Sequence, residues 1–273
     1  MTPGELEQLM AIAHDAGEII TRIYAGEFSV DYKAPSDPVT QADRLANDLI
    51  CERIALAFPG APIVAEESAP ETFLGFETGA RVFFVDPLDG TREFVARNGQ
   101  FVVMIGVVDG DHATAGVVHA PVTGTTWYGA LGSGAWRSVQ GGSPQPIRVS
   151  DIARPEFASV VSSRSQRSAA LQRALDSLGA RQHLSVGSAG LKGGQVADGS
   201  ADAYLSIGRS GKLWDACAVD ALVHAAGGRF TDTQGKRLDY RSPDISLKSG
   251  ILACNEHLHA ALLARLVASV ATD

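Results

Sequence analysis

The stretch from Ile63 to Arg148 reads almost entirely as short apolar runs parted by turn residues, and it constrains the fold more than any other part of the chain. Ile63-Val64-Ala65, Val82 to Val85, Val102 to Val108, Ala115 to His119 and Thr125 to Tyr128 are strand-like in length and in β-branched content. Asp109-Gly110 has the chemistry of a hairpin turn. A sheet of this kind has an apolar face to bury, and the sequence ahead of it supplies two helices. In the first, Thr2 is the cap, Pro3 suits the first position and Glu5 completes a capping box. Leu6, Leu9, Met10, Ala13, Ala16, Ile20 and Ile23 keep one apolar face. The second starts with Thr40 as cap and Asp43 three residues on, and stops near Phe58 ahead of Pro59-Gly60. Between them Asp31 to Val39, with Pro35 and Pro38, reads as a loop.

Beyond Gly141-Gly142-Ser143-Pro144, which is by composition a boundary or an exposed loop, the pattern alternates. Ser159 to Ser162 is a strand and Ser168 to Leu178 a helix. A helix at Leu191 to Ala197 and a strand at Ala203 to Ser206 follow. A helix from Trp214 to Ala226 then ends at Gly227-Gly228, before a strand at Ile251 to Ala253 and a last helix from Asn255. The expected architecture is a helix pair over an antiparallel sheet in residues 1–150, an α+β half, followed by a smaller α/β half in 151–273. No internal repeat is present.

Composition narrows the function classes. The 273 residues carry 31 Asp+Glu against 23 Lys+Arg, a net charge of −8, with 45% hydrophobic residues. That is a globular protein with a sizeable core, and its acidity argues against a nucleic-acid polymer or an anionic membrane surface as partner. No run of about 20 apolar residues exists, so no membrane span is expected. Met1-Thr2-Pro3-Gly4-Glu5 has neither a basic region nor an apolar core, so no signal peptide is expected. Cys51, Cys217 and Cys254 give neither a disulfide framework nor a zinc spacing, and reduced thiols in the cytoplasm are the simplest reading.

The chemical signal is acidic. Glu66-Glu67 ends the first strand of the series. Asp86-Pro87-Leu88-Asp89-Gly90-Thr91 ends the second, and Trp214-Asp215 opens a late helix. Taken alone, Asp-Pro and Asp-Gly are ordinary turn formers. Asp86, however, closes a run of apolar residues, and Asp89 follows three positions later, so one turn can bring both carboxylates to the same place. If the three segments converge, four or five carboxylates share a cleft, and without a cation their pKa values climb. An all-oxygen donor set points to Mg²⁺ or Mn²⁺ and away from Zn²⁺. Asp86 is placed to bridge two ions, and the Gly90 and Thr91 amides to hold a phosphate oxygen.

These three segments resemble, in order and spacing, the signatures of the inositol monophosphatase-like, Mg²⁺-dependent, lithium-sensitive phosphatases, and the resemblance spans nearly the whole chain. It implies the layered αβαβα sandwich of that fold, two or three Mg²⁺ ions (or Mn²⁺), and a small phosphorylated substrate. By the same resemblance Glu66, Asp86, the Leu88 carbonyl, Asp89 and Asp215 bind metal. Glu66 and Thr91 orient a metal-activated water, with no covalent intermediate, and Asp89 belongs with them in the catalytic group. Asp37 and Asp43 resemble a loop near a third metal; the plainer reading of the pair is a solvated loop acid and a helix-cap acid.

The residues after the motif, Arg92-Glu93-Phe94-Val95-Ala96-Arg97-Asn98-Gly99, resemble the bacterial 3′(2′),5′-bisphosphate nucleotidase branch more than inositol-directed members. That implies hydrolysis of the 3′-phosphate of adenosine 3′,5′-bisphosphate to AMP, and a place in sulfur metabolism. Gly90, Thr91, Arg164, Lys192 and Asp215 would contact substrate, with Arg164 and Lys192 the cations for the second phosphate. The segment Gly187-Ser188-Ala189-Gly190-Leu191-Lys192 carries one more small residue than that branch usually has. The alternatives are an inositol or sugar-phosphate phosphatase of the same fold, or a catalytically silent metal- or nucleotide-binding regulator, as a monomer or homodimer. No dehalogenase-type Asp-x-Asp-Gly-Thr, Cys-x₅-Arg loop, P-loop or nucleophile elbow is present. His257 and His259 are expected to face solvent, and Cys217 to pack in the core.

Overall fold

The two expected helix starts are built as capping boxes. The computed structural model describes residues 1–34, 37–165 and 167–270, with the side chains of 37 and 267–270 left aside. In α1 (Pro3–Ala25) the Thr2 amide donates to Glu5 Oε2 at 2.7 Å, and the Glu5 amide to Thr2 Oγ1 at 3.3 Å. The segment expected as a loop ahead of the second helix is instead a two-stranded ribbon. In it β1 (Val30–Ala34) pairs antiparallel with β2 (Asp37–Thr40), in the register Val30↔Thr40 and Tyr32↔Pro38. Proline is tolerated there because a two-stranded ribbon leaves every second amide unpaired, and β1 is too exposed to show an apolar alternation. In α2 (Gln41–Ala57), Asp43 Oδ2 accepts from both the amide and the hydroxyl of Thr40 at 2.7 Å.

The expected strands form one seven-stranded sheet. Its members are β3 (Ile63–Ala65), β4 (Arg81–Asp89), β5 (Val102–Asp109), β6 (His112–Ala120), β7 (Thr125–Ala130), β8 (Gly134–Val139) and β9 (Gln145–Ile147), in that spatial order. All neighbours are antiparallel except β3 and β4, which run parallel. A short helix, α3 (Thr91–Val95), lies between β4 and β5. The last two strands extend the sheet beyond the sequence expectation, and Gly141-Gly142-Ser143-Pro144 is an exposed connection inside it.

A second sheet of five strands runs β11-β10-β12-β14-β13, made of β10 (Ser159–Ser163), β11 (Gln182–Val186), β12 (Ala203–Ser206), β13 (Arg229–Thr231) and β14 (Ile251–Cys254). The helices of this half are α4 (Ala169–Leu178), α5 (Ala189–Ala197), α6 (Trp214–Ala225) and α7 (Glu256–Val270). Alternation along the strands decides which helix covers which face. Phe83, Val85, Val103 and Ile105 pack under α1 and α2. Phe84, Val102 and Met104 point the other way, into the layer holding α5 and α6. The far face of the second sheet, with Val160, Leu205 and Leu252, is covered by α4 and α7. The result is the five-layer αβαβα sandwich expected from the motifs. No helix among the described residues is long and apolar enough to cross a membrane.

Helix α6 lies unusually close to the first sheet. A Cβ on Gly106 would sit 2.5 Å from the Ala218 nitrogen, and one on Gly116 would sit 2.1 Å from the Ala218 oxygen. Those two glycines let a helix backbone rest on a strand backbone, with Cys217 wholly buried as expected. One histidine departs from expectation. His259 is 1% exposed, with Nε2 2.7 Å from Thr231 Oγ1, because it lies on the α7 face that packs over the sheet; His257, two residues earlier, is exposed.

Candidate active site

Two neighbouring strands end at the same level and deliver the first acids. The parallel register pairs Ala65 with Val85, and the Glu66 amide donates to the Val85 carbonyl at 3.1 Å. Glu66 and Asp86 therefore leave the sheet side by side. The β4–β5 ladder then slips between Asp86 and Asp89. This bulge turns both aspartates into one cavity, the re-aiming that bulges supply. Asp86 Oδ1 accepts from the Leu88 amide at 3.1 Å. Gly90, at φ +102°, makes the corner into α3; a Cβ there would lie 2.8 Å from the Gln100 carbonyl. The third acid, Asp215, is at the start of α6, where its Oδ2 accepts from the Lys212 amide at 2.6 Å.

Asp86, Asp89 and Asp215 each offer a carboxylate oxygen, and these atoms lie within 4.8 Å of one another. Burial, and then the neighbouring carboxylates, push Asp86 and Asp215 well above the usual carboxylate range; Glu66 is the largest of those neighbours for both. Glu66 is raised too, by burial, with Lys33 opposing. Groups held this way have too much like charge for ionisation in the absence of a cation. The donor set, carboxylates with the Leu88 carbonyl beside them, suits a hard divalent ion and offers no imidazole or thiolate to a softer one. The residues present therefore fit the metals that the motif implies.

The cavity, of about 190 Å³, is lined by Glu66, Leu88, Gly90, Thr91 and Lys192 as well as the three aspartates. Thr91 Oγ1 donates to Asp43 Oδ1 at 3.0 Å and lies 3.2 Å from the Leu88 carbonyl. Asp43 is 1% exposed, so both of its oxygens are employed: Oδ2 in the α2 capping box and Oδ1 on Thr91. It stands outside the group of three aspartates, and the side chain of Asp37 lies outside the described residues.

Lys192 is on the first turn of α5, 4% exposed, with Nζ donating to the carbonyls of Gly187 at 3.1 Å and Ser188 at 2.6 Å. Burial lowers its pKa to about 8, against the pull of Asp89, Glu93 and Asp215. In the 187–192 segment Gly187 and Ser188 make the turn, with Ser188 as the cap, and Ala189 to Lys192 are already helical. Arg164 behaves differently. It is exposed just past β10, its amide donating to the Val186 carbonyl at 3.1 Å, and the cavity wall is formed by Ser163 and Ser165 on either side of it.

Two partners were not foreseen in the sequence. Lys33 reaches from β1 to Glu66 Oε1 at 2.8 Å and Glu67 Oε1 at 2.7 Å. Burial lowers its pKa, but the two carboxylates outweigh that and hold it above the usual lysine range. Ser188, at φ +45°, donates its hydroxyl to Asp89 Oδ2 at 2.5 Å and accepts from the Leu191 amide at 3.1 Å. The Gly190 amide adds a 2.7 Å bond to the same Asp89 oxygen. A positive φ at a serine is a cost that tertiary contacts must offset, and here it aims one hydroxyl at a site carboxylate. Neither partner has a local pattern that announces it.

The sequence profile of the inositol monophosphatase family matches residues 5–271. The 3′(2′),5′-bisphosphate nucleotidase CysQ of Escherichia coli K12 is 39% identical over 250 residues, 90% of this chain and 97% of that protein. The protein of the same name from Buchnera aphidicola is 32% identical over 260 residues, 94% of each chain. Among solved structures, the extragenic suppressor protein suhB of Bartonella henselae superposes with a TM-score of 0.83 at 28% identity, covering 96% of this chain and 98% of that one. An IMPase of Thermotoga maritima does so with a TM-score of 0.83 at 26% identity, covering 98% and 99%.

Proposed function

The chain belongs to the inositol monophosphatase family, and on that premise we propose that it is a phosphomonoesterase that removes the 3′-phosphate from adenosine 3′,5′-bisphosphate, yielding AMP and phosphate. The observation that carries the phosphatase reading is the convergence of Asp86, Asp89 and Asp215 within 4.8 Å in a cavity shared with Thr91 and Lys192. The nucleotide reading is supported by the identity to the CysQ proteins and by Lys192, a buried cation at the cavity wall.

Glu66, Asp86, the Leu88 carbonyl, Asp89 and Asp215 would hold two or three Mg²⁺ ions, or Mn²⁺. When bound, these supply positive charge to the phosphoryl oxygens and lower the pKa of water. The chain does the rest. Thr91 commits its hydrogen to Asp43, which leaves its oxygen free to accept from the attacking water. Asp43 stands behind it as the acceptor for the proton that water releases, and Glu66 flanks the same space. Ser188 and the Gly190 amide fix Asp89 so that its second oxygen faces the cavity. The Gly90 and Thr91 amides receive a phosphate oxygen. Lys192, with two of its three hydrogens spent on carbonyls, has one left for the substrate. Arg164 supplies charge at the rim, where the second phosphate leaves the cavity.

The test is phosphate release with Mg²⁺ from adenosine 3′,5′-bisphosphate and from myo-inositol 1-phosphate, side by side. A 100-fold preference for the nucleotide corresponds to about 2.7 kcal/mol of transition-state discrimination and supports the nucleotidase. The structural likeness to an IMPase favours the second reading, an inositol or sugar-phosphate phosphatase. Equal rates, or a preference for inositol phosphate, would select it.

A further inference from the structure

Glu93 is a buried charge in this cavity that the chemistry above does not use. It lies on α3 two residues past Thr91, is 5% exposed, and shares the cavity wall with Asp89 and Lys192. Among the described residues neither an ion pair nor another side chain's hydrogen bond reaches its carboxylate, whose one donor is its own backbone amide. The side chain is nonetheless held firmly. The backbone at Gly187 crosses it so closely that a Cβ there would lie 2.4 Å from Glu93 Cγ. A carboxylate that is buried, fixed and short of donors costs stability until a donor arrives.

We infer that Glu93 is a specificity-determining residue that accepts a hydrogen bond from the substrate hydroxyl on the carbon next to the phosphorylated one. The inference rests on the phosphomonoesterase reading and names what that site selects. A second phosphate is the wrong partner for this carboxylate, because Glu93 and Asp89 would both repel it; Lys192 and Arg164, whose charge also reaches Glu93, are the groups that would meet that phosphate. A purine is the wrong partner as well. The aromatic ring that the described residues bring to this wall, Tyr204, already lies under the Lys192 ammonium at 5.2 Å, which leaves no free ring beside Glu93 for a base to stack on. A neutral hydroxyl satisfies the carboxylate without adding charge. With the scissile phosphate at Gly90 and Thr91, the next turn of backbone places Glu93 beside the neighbouring sugar carbon. The site would then favour vicinal hydroxy-phosphates, ribose 3′-phosphates among them, over deoxy, alkyl and aryl phosphates.

The experiment measures kcat/KM with Mg²⁺ for two substrate pairs, each with and without that hydroxyl. One pair is adenosine 3′,5′-bisphosphate and 2′-deoxyadenosine 3′,5′-bisphosphate; the other is glycerol 2-phosphate and isopropyl phosphate. Wild type is expected to prefer the hydroxyl-bearing member by about tenfold or more, the scale of rejection when a buried polar group is left unpaired. Glu93→Gln, of the same volume, is expected to bring that ratio close to one in the pair the wild type uses best. A ratio unchanged in the variant overturns the inference, because equal losses on both members mean that Glu93 merely supports the 187–190 turn. Wild type that releases phosphate without preferring the hydroxyl overturns it alone. Wild type that releases phosphate from none of the four overturns the phosphatase reading and this inference with it. If the glutamine variant fails to fold, Glu93→Asp keeps the charge, withdraws it by one methylene and is judged by the same ratio.

Discussion

Replacing Asp86 by Asn separates the two roles of a site carboxylate: it should destroy activity and yet stabilise the metal-free protein. The substitution conserves volume, and the amide oxygen can still accept from the Leu88 amide, now 3.1 Å from Asp86 Oδ1. What it removes is one of three carboxylates within 4.8 Å of one another. At that spacing and an effective dielectric of about 20, each ionised pair costs roughly 3 kcal/mol. Protonation of the wild type relieves part of this, so the expected gain is about 1–3 kcal/mol at neutral pH in EDTA. For a chain of this size each kcal/mol moves the Tm by about 2–4 °C. The sign follows from the raised pKa values of Asp86 and Asp215. The unfolded chain ionises these groups first, so metal-free stability falls as pH rises from the ordinary carboxylate range toward the raised values. The Asn variant should flatten that fall. Mg²⁺ reverses the ranking, since ion at 100 times its Kd stabilises the wild type by about 2.7 kcal/mol and the variant by less. The assay is thermal unfolding at pH 5 and pH 8, in EDTA and in Mg²⁺, with phosphate release in parallel. Wild-type turnover, or a variant less stable than wild type in EDTA at pH 8, would refute the reasoning.

Thr91→Val keeps shape but removes the hydroxyl between Asp43 and the cavity. Turnover should fall by about 10²- to 10⁴-fold, with stability changing by about 1 kcal/mol and Thr91→Ser restoring most of the rate. Arg164→Ala should weaken bisphosphate nucleotides at least tenfold more than 3′-monophosphates; an equal loss on both would remove Arg164 from second-phosphate recognition. His259 is buried against Thr231, and burial lowers its pKa from 6.5 to about 4. Its folded pKa lies below its unfolded one, so its share of stability is lost as pH falls from 6.5 toward 4, at up to about 1.4 kcal/mol per unit. His259→Gln should blunt acid unfolding in that window. Gly116→Ala places a methyl 2.1 Å from a helix carbonyl and should destabilise the fold by about 3 kcal/mol or more, read as a sharp drop in the unfolding midpoint.

Much of this protein is written in local chemistry. Thr2 with Glu5, and Thr40 with Asp43, specify two helix starts because capping is a matter of three residues. The apolar runs from Ile63 to Tyr128 specify strands, since each must bury both faces. Asp86 and Asp89, at a strand end around one turn, announce a shared acidic site. Tertiary structure decides the rest. Glu66 stands beside Asp86 because β3 and β4 pair in parallel at Ala65↔Val85. Asp215 joins them because two glycines let α6 settle on the sheet backbone. Asp43 is legible as a cap residue, but its second oxygen meets Thr91 across 48 positions. Lys33 comes from β1, a strand too exposed to show a pattern, His259 is buried by a helix face that periodicity alone leaves ambiguous, and Glu93 is enclosed by a turn more than 90 residues away. Periods of 2.0 and 3.6 residues tell a side chain which face it occupies. They say nothing of what the packed layers will set against that face, and this site is made of such encounters.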